Sequence, residues 1–254
     1  MLAAALDTAT LTLSCALVEL DVEPVRALAA RTEVAPARPG PQGPTGGHGG
    51  RLPGALQDLL AGAGRRLREV EAYAIGLGPG SFTGLRIGLA TWKGLAYAHR
   101  RPMAGCSSLA AMALAARPRA PAGALLVPLL DARKGEVYAG FYRPRGDEVE
   151  PVEPDAALAP GALTACVAAL RDAGDEVLVF GQGVEALGAA ARALPVADVG
   201  IETPPAEAVA ALCARSLRGA EYDAARLFSL EPRYVRASEA EIRFPHGHGL
   251  APRG

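Results

Sequence analysis

"AIGLGPGSFTGLRIGLATWKGLA", residues 74–96, runs from an apolar strand through a glycine-rich turn into an apolar helix. Gly78-Pro79-Gly80 ends the strand. Pro79 fixes its own φ, and the two glycines admit backbone conformations closed to other residues. Ser81 or Thr83 caps the helix by accepting from its first free N–H groups. A helix start of this kind carries partial positive charge and suits an anion, and Arg86 adds a full charge one turn in. Two nucleotide motifs are excluded. A Walker A loop needs Lys after Gly84, and the spacing GxGxxxG is one residue longer than the dinucleotide fingerprint. Three readings stay open: a capped structural turn, an anion site, and a partner surface.

The helix carries Leu85, Gly88, Leu89, Trp92, Leu95 and Ala96 on one apolar stripe. Gly84, Gly88 and Ala90 are small enough to admit a second helix. Arg86, Lys93 and Tyr97 lie opposite. Trp92, the single tryptophan, reads either as core or as an interface residue, where Trp is enriched.

Outward from this stretch the chain divides twice in the same way. Residues 2–6, 11–20 and 25–34 read as three strands in an antiparallel meander. The Pro/Gly-rich stretch 35–50 reads as a mobile loop. Leu52, Leu56, Leu59 and Leu60 set a helix over 51–64, and 70–78 is a buried strand. Then Ser107 opens a small-residue helix that Pro118 ends. Residues 123–144 form two strands around "DARKG", 160–174 a helix with Pro at its start and Gly at its end, and 175–183 a strand. Residues 184–194 and 205–218 read as helices, 230–236 as extended chain, and the end as a flexible tail. Strands followed by a helix–strand–helix run, twice over, predict an α/β protein of two similar subdomains with mixed sheets: 1–104, 105–240, and a tail at 241–254.

The 254 residues carry a formal net charge of −1. No global field favours nucleic acid or a membrane surface, so any RNA contact rests on a local patch or on a partner. The four cysteines, Cys15, Cys106, Cys166 and Cys213, are scattered and form no CxxC pair. They read as reduced thiols of a cytoplasmic protein. The N-terminus lacks the basic start of a signal peptide, and no run is long enough to span a bilayer.

Four stretches then occur in order: "LAAALDTATLTLSCAL", "GHGGRLPGALQDLL", "GLGPGSFTGLRIGLATWKGLA" and "LLDARKGEVYAGFYR". Together they resemble the TsaB (YeaZ) family of bacterial tRNA threonylcarbamoyladenosine biosynthesis proteins. The resemblance covers residues 1–143 and resumes at "EPRYVR", 231–236. It implies the actin/Hsp70/sugar-kinase-like (ASKHA) fold. It also implies a noncatalytic subunit that binds the catalytic paralogue TsaD and works with the ATPase TsaE. That complex transfers threonylcarbamoyl to N6 of the adenosine beside the anticodon of ANN-reading tRNAs.

The resemblance implies that helices near 51–63 and 83–98 meet TsaD. Leu52, Leu56, Ser81, Phe82, Thr83, Arg86, Gly88, Leu89 and Trp92 are the expected partner-binding residues. Gly88→Glu is then expected to abolish the heterodimer and leave the monomer folded. Alone, the same face is expected to form a homodimer. tRNA is engaged through the complex. No cofactor is expected in the isolated subunit, though the joint between subunits could hold ATP or ADP. Asp7, Thr8 and Thr10 occupy the place of the first phosphate hairpin of this fold and read as its vestige.

TsaD-like proteins carry HxxxH on the helix that opens the second unit. Here that helix is "SSLAAMALAA", without histidine or carboxylate, so no metal is expected. His246 and His248 in the tail fall short of a zinc ligand set, and His48 reads as a loop residue. The alternative is an ATP-dependent small-molecule kinase of the same fold. A glycoprotease is rejected, because Ser81 has no identifiable partner base. Asp131, Arg133, Lys134 and Glu136 in the hairpin, with Arg233 and Arg236 near the end, read as exposed charges or as contacts with a partner or tRNA.

Overall fold

The computed structural model describes residues 1–34 and 48–236. The expected tail, and the expected mobile loop apart from its last residues, lie outside the described residues. The chain forms two mixed sheets. The first takes β1 (Leu2–Asp7), β2 (Thr12–Glu19), β3 (Arg26–Val34), β4 (Ala72–Gly76) and β5 (Met103–Cys106) in the order β3-β2-β1-β4-β5. β1, β2 and β3 pair antiparallel; β4 lies parallel to both β1 and β5. The second sheet takes β6 (Leu125–Arg133), β7 (Glu136–Arg145), β8 (Glu148–Leu158) and β9 (Val177–Phe180) in the order β8-β7-β6-β9. Again a meander is followed by a parallel strand. The doubled plan read in the sequence is therefore a doubled topology.

β1 explains why the first sheet sits at the centre of its lobe. Leu2, Ala4 and Leu6 face one layer and Ala3 and Ala5 the other, all buried. A strand covered on both faces reads as a continuous apolar run. On the first face lie α1 (His48–Gly62) and α2 (Phe82–His99). On the second lies α6 (Ala206–Leu217), whose alanines meet Ala3, Ala5, Ala72 and Ala74. Small residues on both sides let helix and sheet approach closely.

This packing corrects the domain division. Residues 105–240 were expected as one unit, but α6 returns to the first sheet, and α7 (Ala224–Ser229) buries Leu227 beside α2. An alanine-rich stripe has its complement on the alanine-rich first sheet. The second sheet offers bulky Leu and Val instead. There, α3 (Ser108–Ala116) covers one face through Leu109 and Met112, and α4 (Pro160–Asp172) covers the other through Leu163 and Val167. α3 also reaches the first lobe, with Ala111 in the α6 layer.

Three smaller expectations change. Residues 184–194 form a short helix, α5 (Gly183–Ala186), and a 3₁₀ turn rather than one helix. β5 and β8 were not anticipated; neither has an isolated apolar alternation. α1 begins at His48, inside the stretch read as loop. Among the described residues no helix is long and apolar enough to cross a membrane.

Candidate functional site

The glycine turn that resembles a phosphate cradle is filled by the chain itself. A Cβ on Gly80 would lie 2.2 Å from the Ala9 carbonyl oxygen, and one on Gly76 would lie 1.8 Å from Asp7 Oδ2. The Ser81 N–H donates to that same Ala9 carbonyl at 2.6 Å. These glycines exist so that the turn after β1 can press into the turn before α2. Ser81 is the helix cap, accepting from the Gly84 N–H at 3.2 Å.

Asp7 and Thr8, read as the vestige of a phosphate hairpin, have buried side chains and do not line the cleft described below. Asp7 Oδ1 accepts from the Ala9 N–H at 2.8 Å and Oδ2 from the Ser108 hydroxyl at 2.6 Å. Burial pushes its carboxyl up to about 6, against the pull of those two hydrogen bonds. Among the described residues Thr8 Oγ1 has no hydrogen-bond partner, and a Cβ on Gly88 would come within 2.4 Å of it. Thr10 borders the cleft described below, but its hydroxyl turns to Thr12.

A matching network, not legible in the sequence, sits on the other side of the α3 start. Ser107 caps α3 through the Ala110 N–H and donates to Asp155 Oδ2 at 2.5 Å. Tyr142 donates to Asp155 Oδ1. Burial raises the Asp155 carboxyl above its ordinary range, although both hydrogen bonds and the nearby Arg233 charge oppose the rise. Adjacent serines thus hold one carboxylate from each sheet, and no local pattern links residues 107, 142 and 155.

Between the lobes lies a cleft of about 880 Å³. Arg133, Lys134, Arg233 and Arg236 line it, with Asp131 and Glu185. The "DARKG" hairpin forms as expected: Arg133 pairs with Glu136, and Lys134 and Gly135 turn the chain with φ of 56° and 78°. Arg133 is ion-paired to Asp131 at 3.3 Å, and Arg236 to Glu136 at 3.3 Å.

Residues 223–236 form a strap along α2 and into the cleft. Lys93 Nζ donates to the Phe228 carbonyl at 3.0 Å, and the Arg233 N–H to the Leu77 carbonyl at 2.7 Å. Arg86 Nε donates to Tyr234 Oη at 2.9 Å, while its guanidinium sits 3.7 Å over the Phe82 ring. Phe82 and Arg86, expected to meet a partner, therefore meet the chain's own strap.

The remaining expected partner residues divide by face. Leu52, Leu56, Gly88, Leu89 and Trp92 point into the core and cannot present a surface. Trp92 is wholly buried; its indole N–H donates to the Ala4 carbonyl at 3.1 Å, and it meets the Tyr73 ring edge-on. The core reading of Trp92 holds. The exposed face of the two helices is carried instead by Gly50, Gly54, Gln57 and Ala61 on α1, and by Thr83, Ala90, Gly94 and Ala98 on α2. The stripe was visible in the sequence, but its outward side was misassigned, because the apolar residues belong to the protein's own sheet.

Two mixed sheets of repeated topology, a cleft between them and a helix pair on the outer face of the first define the actin/Hsp70/sugar-kinase-like class. The chain belongs to the TsaD family, described as tRNA N6-adenosine threonylcarbamoyltransferase, whose model matches residues 41–244. It is similar to the TsaB protein of Escherichia coli, 43% identical over 96 residues, covering 38% of this chain and 41% of that protein. It is 37% identical over 108 residues to TsaB of Bacillus subtilis, covering 42% and 46%. Both are described as tRNA threonylcarbamoyladenosine biosynthesis proteins. The aligned stretch thus spans less than half the length of these curated relatives. Over the whole fold the chain resembles a solved structure of YeaZ from Pseudomonas aeruginosa. The TM-score is 0.68 at 29% identity, with 92% of this chain and 99% of that one covered. A second Pseudomonas aeruginosa structure, described as similar to peptidase YEAZ, superposes with TM-score 0.71 at 28% identity, with the same coverage. The TsaB/YeaZ resemblance read from the motifs is borne out.

Proposed function

We propose that this protein acts in tRNA threonylcarbamoyladenosine biosynthesis as a noncatalytic subunit. It would bind a TsaD-like catalytic paralogue through the outer face of α1 and α2 and act together with a TsaE-like ATPase. The observation that carries this reading is the stripe of small exposed residues on α1 and α2. A Cβ on Gly54 or Gly94 would meet nothing within 4 Å. Small residues spaced by four and seven along two touching helices, Gly50, Gly54 and Ala61 on one and Thr83, Ala90, Gly94 and Ala98 on the other, leave a shallow surface into which another helix pair can pack closely. Without the paralogue a second copy of the chain would cover the same face.

The chain's own chemistry supports a supporting role. α3 carries no histidine and no carboxylate. The burial of Asp7 against Ser108 argues against the kinase alternative, which would need that carboxylate in the cleft. A nucleotide at the joint between subunits would have to be held largely by the paralogue.

The test is Gly94→Glu, which places a charge on the open face without touching the core. The variant should melt at or slightly above the parent temperature yet fail to co-elute with the cognate TsaD-like protein, and modification of tRNA by the reconstituted proteins should fall with it. Co-elution that survives both Gly94→Glu and Gly54→Glu would refute this interface.

A further inference from the structure

We infer that the rim of the interlobe cleft binds single-stranded RNA directly, with bases stacked at Phe82 and Tyr234 and phosphates along Arg133, Lys134 and Arg233. Two exposed aromatic rings stand at the cleft mouth, Phe82 with 39% and Tyr234 with 45% of its surface accessible. Their centroids are 5.2 Å apart, and Arg86 locks them together from α2. Large apolar rings at a surface need a reason to be there. These two are preorganised beside a guanidinium, the arrangement that stacks unpaired bases without reading their identity.

The charges beside them suit a chain of phosphates. Four cationic side chains line the cleft against two carboxylates, Asp131 and Glu185; Arg133 is paired with Asp131 and Arg236 with Glu136, so a phosphate would share these two cations with their carboxylates. They come from two places: the β6–β7 hairpin supplies Arg133 and Lys134, and the strap supplies Arg233 and Arg236. Among the described residues Arg233 makes no side-chain ion pair, and its charge is felt by Asp155 and Tyr142. Cations spread over both walls fit successive phosphates better than a single one.

A magnesium nucleotide fits this rim less well. It needs carboxylate oxygens for the ion and a backbone cradle for the phosphates. Asp7 is buried and bonded to Ser108, Asp131 is paired with Arg133, and the Gly80 cradle is closed by the Ala9 carbonyl. Among the described residues no group of three His, Cys, Asp or Glu could hold a metal ion. The net charge of −1 means that any attraction is local, so affinity should be modest, about 10⁻⁶–10⁻⁴ M at physiological salt.

The experiment is fluorescence anisotropy with the full isolated chain. The probes are a labelled, unmodified anticodon stem-loop RNA and an oligouridine strand. Saturable binding is expected, weakening with KCl at a log–log slope of about −2 for three phosphates. Arg233→Glu should lower affinity about tenfold or more and flatten that slope. Tyr234→Ala should lower affinity at least fivefold and leave the slope unchanged, because stacking releases no counterions. Thermal melts check that each variant folds, with Arg133→Glu as the substitute for Arg233→Glu.

Absence of binding at low salt, or binding that ignores both substitutions, overturns the inference. So does full displacement by stoichiometric Mg-ATP, which would make the cleft a nucleotide pocket. Loss of the TsaD-like partner with RNA binding unchanged would make the rim a protein interface. The inference is separable from the proposed helix interface, which is tested by Gly94→Glu and stands or falls without RNA binding to the isolated chain.

Discussion

Ser108 donates its hydroxyl to Asp7 at 2.6 Å, joining the first turn of α3 to the end of β1 inside a site from which water is excluded. Burial raises the carboxyl from 3.8 to about 6. The fold therefore favours the protonated form. Stability from this group is fully present below pH 4 and is lost as pH rises through about 6, by at most roughly 3 kcal/mol. Urea midpoints measured between pH 4 and pH 7 should fall across that window. Asp7→Asn keeps a neutral side chain of the same shape and should remove most of the slope. Asp155, also raised, should leave a remainder.

Trp92 is a folding residue. Its indole fills the layer between α2 and the first sheet, and its one polar atom is satisfied by Ala4. Trp92→Ala should cost about 3–5 kcal/mol through the cavity it leaves. As the single tryptophan, it also reports on the first lobe: native emission should be blue-shifted and should move to the red on unfolding. A red-shifted native spectrum would contradict the burial.

The glycines of α2 should divide by sign. Gly88 faces Thr8 and Leu6, and a Cβ there collides with Thr8 Oγ1 at 2.4 Å. Gly88→Ala should destabilise by about 1–3 kcal/mol. Gly94 opens on empty space. Gly94→Ala should stabilise the monomer by about 0.5–1 kcal/mol, from helix propensity alone. Thermal melts of the two variants compare them directly. The expectation that Gly88→Glu leaves a folded monomer is withdrawn on this geometry, since a longer side chain collides with the same wall.

The division between Gly88 and Gly94 also shows what the sequence could carry. Helical spacing located α2, its Ser81 cap and its apolar stripe, because these follow from neighbours along the chain. Which stripe faces the sheet and which faces solvent depends on the height of β1, and that is set by pairings between residues 2–7 and 72–76. The doubled topology was legible because each meander has its own alternation and turns. The return of α6 to the first sheet was not. It rests on alanines matched across some 200 residues, such as Ala3 and Ala210. The Ser107–Asp155–Tyr142 network escaped for the same reason: each member looks ordinary where it stands.

The strap should detach in a defined order. Asp223 caps α7, accepting from the Ala225 N–H at 2.8 Å and the Arg226 N–H at 3.2 Å. The Leu227 N–H donates to the Asp223 carbonyl at 2.9 Å, and the Leu227 side chain is buried in the α1–α2 layer. Beyond it, the strap holds the first lobe through Arg233 and Leu77 and the second through Arg236 and Ala132. Asp223→Ala removes a cap worth about 1 kcal/mol but no apolar burial. Leu227→Ala removes the anchor itself, at about 2–4 kcal/mol. In hydrogen exchange, Asp223→Ala should raise exchange at the Ala225 and Arg226 amides and leave Arg233 protected. Leu227→Ala should raise exchange along 224–233 together. Uniform loosening of the strap by Asp223→Ala would mean that the cap, and not Leu227, holds it against α2.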